Sequence, residues 1–277
     1  MAAPPERRRA PRRAAPPPRG RAGTCDILVK GCARDARWLP WLFRSIARFA
    51  TGFREVVVLF PRAERAAIDG MGLTRERVIF TDDHGDGYLY QQVCKLQADR
   101  YTDADFVCHV DSDCIFQGPA SPETYFTEGR PQLLHVSYAA LGGEGAACWR
   151  AGTERALGRP VELEFMRRMP LVYPRAAYAG FRGFLERTHG TPLEPFLMGS
   201  PPDARPSEFN WLGAWCWFHM HDGFHWVDTL SEPLPPNPLR QYWSHSFLDD
   251  REMARLDELL AGEGGAGLDP PGQGGRP

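Results

Sequence analysis

The stretch "FVCHVDSDCIF", residues 106–116, decides how this chain is read. An apolar run fit for the inside of a sheet stops at Asp111 and Asp113, one residue apart, and then resumes. Carboxylates beside a core cost free energy unless a cation or hydrogen-bond donors meet them, so the interruption asks for a partner. In an extended segment residues i and i+2 share a side, which lets Asp111 and Asp113 address one ion while Ser112 faces away. Hard divalent cations such as Mg²⁺ or Mn²⁺ take such oxygens and commonly bridge to phosphates. The competing reading is a strand end closed by a turn-forming Asp-Ser-Asp.

Upstream of this run, strand and helix patterns alternate. "CDILVKGC" (25–32) reads as a first strand, and "DARWLPWLFRSIARFAT" (35–51) as an amphipathic helix with Pro40 in its first turn. "REVVVLFP" (54–61) is a second strand whose continuous β-branched residues suit burial on both faces. A helical stretch (62–72), a third strand "RVIFTDD" (77–83) and a helix "GYLYQQVCKLQADRYTD" (87–103) lead into the quoted run, taken whole as the fourth strand. Such alternation with short links is the signature of an α/β domain with a mainly parallel central sheet. In these sheets the ligand lies beyond the carboxyl ends of the strands, so Asp82-Asp83 and Asp111-Ser112-Asp113 both point to the expected site.

Beyond Phe116 the alternation weakens. Residues 132–141 read as a further strand, 161–190 as a mixed stretch ending in a helix, and 206–229 as an aromatic-dense helix and loop opened by Ser207. One short helix follows residues 240–250. The expectation is a single domain over residues 24–260, flanked by an Arg/Pro/Ala-rich tail (1–23) and a Gly/Pro-rich tail (261–277), both without fixed structure.

Composition narrows the function. With 277 residues, 43% of them hydrophobic, the chain can bury a sizeable core. Lys and Arg total 33 against 35 Asp and Glu, so no nucleic-acid or anionic-membrane partner is called for. Arg7, Arg8, Arg9, Arg12, Arg13, Arg19 and Arg21 crowd the first segment, which reads as a solvated tail; targeting or tethering is its functional alternative. No apolar signal region precedes Gly23 and no apolar run reaches bilayer length, so no transmembrane segment is expected and the default compartment is cytoplasmic. Seven cysteines without a C-x-x-C pair read as small buried hydrophobes in a reducing setting.

On the helix carrying Gln91, Gln92 and Lys95 and the strand "HVDSDCIF" that follows it, the chain resembles the GT-A glycosyltransferases, and within them glycosyltransferase-like proteins with a D-x-D motif. The resemblance spans about Cys25 through Leu248, although its distinctive motifs are short. It implies a Rossmann-like nucleotide-diphospho-sugar transferase fold, and a sugar donor whose diphosphate is held by Mn²⁺ or Mg²⁺. The acceptor stays open: a glycan, a lipid-linked species or a small molecule. Two other readings stand beside it. One is a GT-A-like protein that binds a sugar nucleotide or glycan without transfer. The other is a haloacid-dehalogenase-type phosphatase, whose D-x-D normally lies on the first strand with a basic residue downstream, whereas the only lysines here, Lys30 and Lys95, precede Asp111.

Individual residues carry paired readings. Lys95 is a helix-surface lysine or a point charge for a diphosphate. One of Gln91 and Gln92 is a surface helix former, and by resemblance the other, taken as Gln92, lines the donor pocket. Ser207 and Glu208 cap the aromatic helix and complement its dipole, or, by resemblance, Glu208 is the general base that activates the acceptor hydroxyl, which implies inversion at the anomeric carbon. His245 is a packing residue or, by resemblance, the third metal ligand with Asp111 and Asp113; His219, His221 and His225 show no zinc spacing. Lys30 and Gly31 beyond the first strand and Asp82 and Asp83 beyond the third stand where base and ribose belong, with helix capping by Asp35 and a turn at Asp82–Gly85 as the plain alternatives. Trp211, Trp215, Trp217, Trp226 and Trp243 are mostly core, with one or two free to meet a sugar at the pocket mouth.

Overall fold

The computed structural model describes residues 23–71, 73, 76–142, 145–243 and 249–261. β1 (Cys25–Lys30) is buried along its whole length, as a strand covered on both faces must be. Helix α1 (Leu39–Phe49) follows, with Pro40 in its first turn and Leu39, Leu42, Phe43 and Ile46 on its buried face. β2 (Val56–Pro61), the short α2 (Arg65–Asp69) and β3 (Arg77–Thr81) continue the alternation, followed by α3 (Gly87–Lys95) and β4 (Phe106–His109). Asp86 caps α3 by accepting from the Tyr88 amide at 2.7 Å.

These four strands lie parallel in the order β3-β2-β1-β4. The chain leaves β1 toward one side for β2 and β3 and returns to the other side for β4. The switch point, where a crevice opens at the carboxyl edge, therefore falls between β1 and β4. The sheet is mixed α/β and mainly parallel, as the alternation implies.

The quoted run departs from its reading as one strand. Pairing with β1 ends when the Val110 amide donates to the Leu28 carbonyl, and the Cys114 amide then folds back onto the Asp111 carbonyl at 3.0 Å. Asp-Ser-Asp is thus a turn, and Asp111 and Asp113 do not share the face of an extended strand. After the turn, β5 (Cys114–Phe116) joins a different, two-stranded sheet. The reason is a pair of distant partners: the Ser45 hydroxyl of α1 accepts from the Phe116 amide at 3.0 Å, and a strand near the far end of the chain pairs antiparallel with β5.

β6 (Phe126–Thr127) and β7 (Arg130–Ser137) build a second sheet, α4 (Arg150–Leu157) follows, and β8 (Leu163–Glu164) pairs with β7. β9 (Leu171–Pro174) then enters the central sheet antiparallel to β4, pairing Leu171 with His109 and Pro174 with Phe106. Helices α5 (Arg175–His189), α6 (Leu193–Met198) and α7 (Glu208–His219) come next. α7 is buried continuously from Glu208 to Cys216, which requires an apolar helix with no solvent face over that length. β10 (His225–Asp228) closes the second sheet beside β7, β11 (Leu239–Gln241) is the partner of β5, and α8 (Asp250–Ala261) packs on α1. One main core runs from Cys25 to Leu239, and a smaller cluster of Trp38, Ile115, Tyr242 and Leu256 seats α8. Among the described residues no helix is long and apolar enough to cross a membrane.

Candidate functional site at the carboxyl edge of the sheet

Three residues that the sequence singles out separately meet at the switch point. Lys95, the last residue of α3, donates from Nζ to Asp111 Oδ1 at 2.8 Å and to Glu208 Oε1 at 3.0 Å. Glu208 is the first residue of α7, so its carboxylate also sits at the positive end of that helix. Gln92 lies one turn before Lys95 on the same face of α3, and its Oε1 accepts the Glu208 amide at 3.1 Å. Phe209 places its ring 5.2 Å from the ammonium. Neighbouring residues of α3 and α7 thus lock the two helices together around one cation.

The electrostatics follow from burial. Lys95 is only 5% exposed. Burial by itself depresses an ammonium, but the charges and hydrogen bonds of Asp111 and Glu208 outweigh it, and Lys95 is held above the ordinary lysine range. Removing either carboxylate leaves a buried charge half-compensated, the costly case for such networks.

Asp113, on the buried side of the turn, accepts from the Gln241 side chain at 3.4 Å, and its carbonyl accepts the Tyr242 amide at 2.9 Å. β11 therefore fixes the turn from behind. His109, two residues before Asp111, is buried, bonds Tyr178 through Nε2 at 2.6 Å and packs its ring on Phe209. Burial first, and the Lys95 charge second, push its pKa well below the usual histidine value.

A second ion pair stands on the same edge. Lys30 ends β1, and its ammonium meets Asp83 Oδ2 at 2.8 Å while the Thr81 hydroxyl bonds the other Asp83 oxygen. Lys30 and Asp111 are each two residues beyond the last paired position of β1 and β4, Leu28 and His109. Asp82 behaves differently from Asp83: it is exposed and paired with Arg62. Gly31 has a packing reason of its own, since a Cβ there would meet the Phe60 ring at 2.8 Å. Asp35 accepts from the Cys32 amide at 3.2 Å within a capping box, the plain reading of that residue.

Other candidates fall elsewhere. Ser207 stands at the start of α7, but its hydroxyl accepts from Asn210 Nδ2 at 3.0 Å rather than capping the helix. Asn210 in turn receives the Phe165 amide and donates to the buried Glu164, so this part of the motif is structural. Trp211 and Trp215 are core; Trp243, next to Tyr242, is exposed and has φ of 58°. His245 lies outside the described residues. Gln241, His109 and Thr81, which support the site, carry no signal of that role in the sequence beyond the presence of His109 in the quoted run.

The donor set suits a hard divalent cation in part. Two carboxylates in one turn are the right oxygens, and the Asp111 side chain keeps 18% exposure. Its Oδ1 is already engaged by Lys95, however, and among the described residues no group of three His, Cys, Asp or Glu side chains is placed to hold a metal. Asp111 and Asp113 are the residues that would hold one. Comparison with models of known protein families and with curated proteins finds no match to this chain.

Proposed function

We propose that the chain is a metal-dependent glycosyltransferase of the GT-A type that uses a nucleotide-diphospho-sugar donor. The observation that carries this reading is the Lys95 bridge, which brings the D-x-D turn and the acidic start of α7, 97 residues later in the chain, into one buried network at the sheet's carboxyl edge. In this reading Asp111 and Asp113, with His245, hold Mn²⁺ or Mg²⁺. When bound, the metal neutralises charge on the donor diphosphate and eases its departure. Lys30, Gly31, Gln92 and the Asp82-Asp83 pair border the nucleoside, with Asp83 rather than Asp82 turned toward Lys30.

Glu208 takes the acceptor hydroxyl proton as the acceptor oxygen forms its bond to the anomeric carbon and the nucleoside diphosphate leaves, which inverts that centre. For this to happen the Lys95 hydrogen bond to Glu208 must be exchanged. An arriving diphosphate, being anionic, is the natural group to draw the ammonium away. A cytoplasmic location suits the seven cysteines, all unpaired.

The phosphatase reading gains one observation. Lys95 precedes Asp111 in the chain, yet its ammonium stands 2.8 Å from that carboxylate, so chain order is no objection to it. The test is turnover. Purified protein with Mn²⁺, a panel of sugar nucleotides and acceptors is expected to release nucleoside diphosphate and form glycoside, and Asp113→Ala to lose this by at least about tenfold, the usual scale for a metal ligand's support. Equal turnover by Asp113→Ala sinks the reading. A covalent aspartyl-phosphate on Asp111 replaces it with the phosphatase, and nucleotide binding without product from any acceptor favours the non-catalytic binder.

A further inference from the structure

Among the described residues the large apolar side chains left exposed are Tyr88, Leu230, Leu234 and Trp243. The two leucines share the loop between β10 and β11. The two aromatic residues both border the network at the carboxyl edge, Tyr88 by way of the helix that holds Glu208 and Trp243 by way of the strand that holds Asp113.

Tyr88 is 44% exposed and lies in the first turn of α3. Tyr88, Gln92 and Lys95 share one face of that helix at i, i+4 and i+7, and the latter two are the partners of Glu208. α3 sets out from the carboxyl end of β3 and leads back toward the start of β4, so its first turn stands outermost at this edge. Along the helix axis Tyr88 is about 6 Å beyond Gln92 and about 10 Å beyond Lys95. Gln92 and Lys95 are buried, and Tyr88 forms the rim above them. Burial first and the Glu208 charge second raise the Tyr88 phenol, with Arg205 and Lys95 opposing, which agrees with that placement and keeps the hydroxyl protonated.

Trp243 is 56% exposed and comes directly after Tyr242, whose amide bonds the Asp113 carbonyl at 2.9 Å. Tyr242 itself is buried, with its ring 5.9 Å from that of Trp38. Trp243 has φ of 58°, a left-handed backbone that a bulky residue adopts only at a cost, and residues held this way gather at ligand sites.

Resting on the glycosyltransferase reading above, we infer that Tyr88 is the platform for the acceptor, that Trp243 is the platform for the sugar of the donor, and that the acceptor is itself a sugar. A pyranose has apolar faces and a polar rim, so one face packs on an aromatic ring while its hydroxyls stay among polar groups. Tyr88 offers that combination, with one ring, a phenolic hydroxyl and the Glu208 carboxylate further in along the same helix face. A lipid chain or a flat aromatic acceptor asks for a contiguous apolar cleft, and no other exposed large apolar side chain among the described residues shares this face of α3.

The test uses the intact chain with Mn²⁺ and the sugar nucleotide it binds. Methyl glycosides of glucose, galactose, mannose and N-acetylglucosamine, together with octanol and phenol, are offered as acceptors. Product is read by mass, and glycoside binding by saturation-transfer NMR. At least one glycoside is expected to bind or to be glycosylated. Tyr88→Ala is expected to raise its KM or Kd by about tenfold, the upper scale of one aromatic contact, while the Kd of the nucleoside diphosphate is unchanged. Position 88 is exposed and alanine favours a helix, so this variant keeps the fold. Tyr88→Trp is expected to keep acceptor affinity, and Trp243→Ala to weaken binding of the sugar nucleotide more than that of the nucleoside diphosphate. Nucleotide binding by wild type with no glycoside bound or used overturns this inference and leaves the transferase reading standing. So does an unchanged acceptor KM and Kd in Tyr88→Ala, or an equal effect of Trp243→Ala on both nucleotides. Absence of nucleotide binding by wild type overturns both.

Discussion

Lys95 is the residue on which the site turns, because its ammonium is the shared partner of Asp111 and Glu208. Lys95→Met keeps much of the stem's volume and strands two carboxylates, so a loss of ~3–5 kcal/mol in urea unfolding is expected, the cost of breaking a buried pair. The pH dependence has a definite sign. Because the folded chain holds Lys95 above its ordinary value, its contribution is complete below about pH 10.4 and is lost as pH rises beyond that toward the folded value. Wild type should therefore weaken in strong alkali by a component that Lys95→Met lacks; parallel alkaline profiles would contradict the ion-paired assignment. His109 gives the opposite case. Its depressed pKa means that folding favours the neutral ring, so its stabilisation stands above about pH 6.5 and is lost as pH falls below it. His109→Gln is expected to flatten stability between about pH 7 and pH 5, and an unchanged slope would contradict it.

Among the elements, α7 does most to position the site, since it carries Glu208 and Phe209 and is held by Gln92 of α3. Its apolar circumference was legible in the sequence as an aromatic-dense helix, but its depth was not, because depth depends on elements distant in the chain. Gly213 shows how tightly it is seated: a Cβ there would meet Phe165 Cβ at 2.6 Å. Gly213→Ala is therefore expected to cost ~1–3 kcal/mol through overpacking, despite a helix-propensity gain of ~1 kcal/mol, as read by chemical denaturation. A more stable variant would show that Phe165 can move aside. The quoted run teaches the same limit. Alternation and β-branching predict β4 correctly, yet the break at Asp111 and the departure of β5 depend on Ser45 and on β11, partners some 70 and 125 residues distant. Local pattern contains neither.

At the scale of the whole molecule, the parallel half of the fold was legible because each βα unit buries its own period-matched faces. The antiparallel entry of β9 beside β4 was not, since the stretch before it carries no regular period. The site followed the same rule. Asp111, Lys95, Glu208, Lys30 and Asp83 stood out singly for their chemistry and their places at strand and helix ends. Which would pair was invisible: Lys95 could have faced solvent, and Asp82 rather than Asp83 could have met Lys30.

The central claim is a nucleotide-diphosphate site that depends on a metal held by the D-x-D turn. Its most direct test is the heat of binding of UDP, GDP and sugar nucleotides with and without Mn²⁺, on wild type and on Asp113→Ala of matched thermal stability. The account predicts binding of one nucleotide family by wild type only with Mn²⁺, and its loss by about tenfold or more in Asp113→Ala. Absence of nucleotide binding under any metal, or equal manganese-dependent binding by the variant, would contradict it.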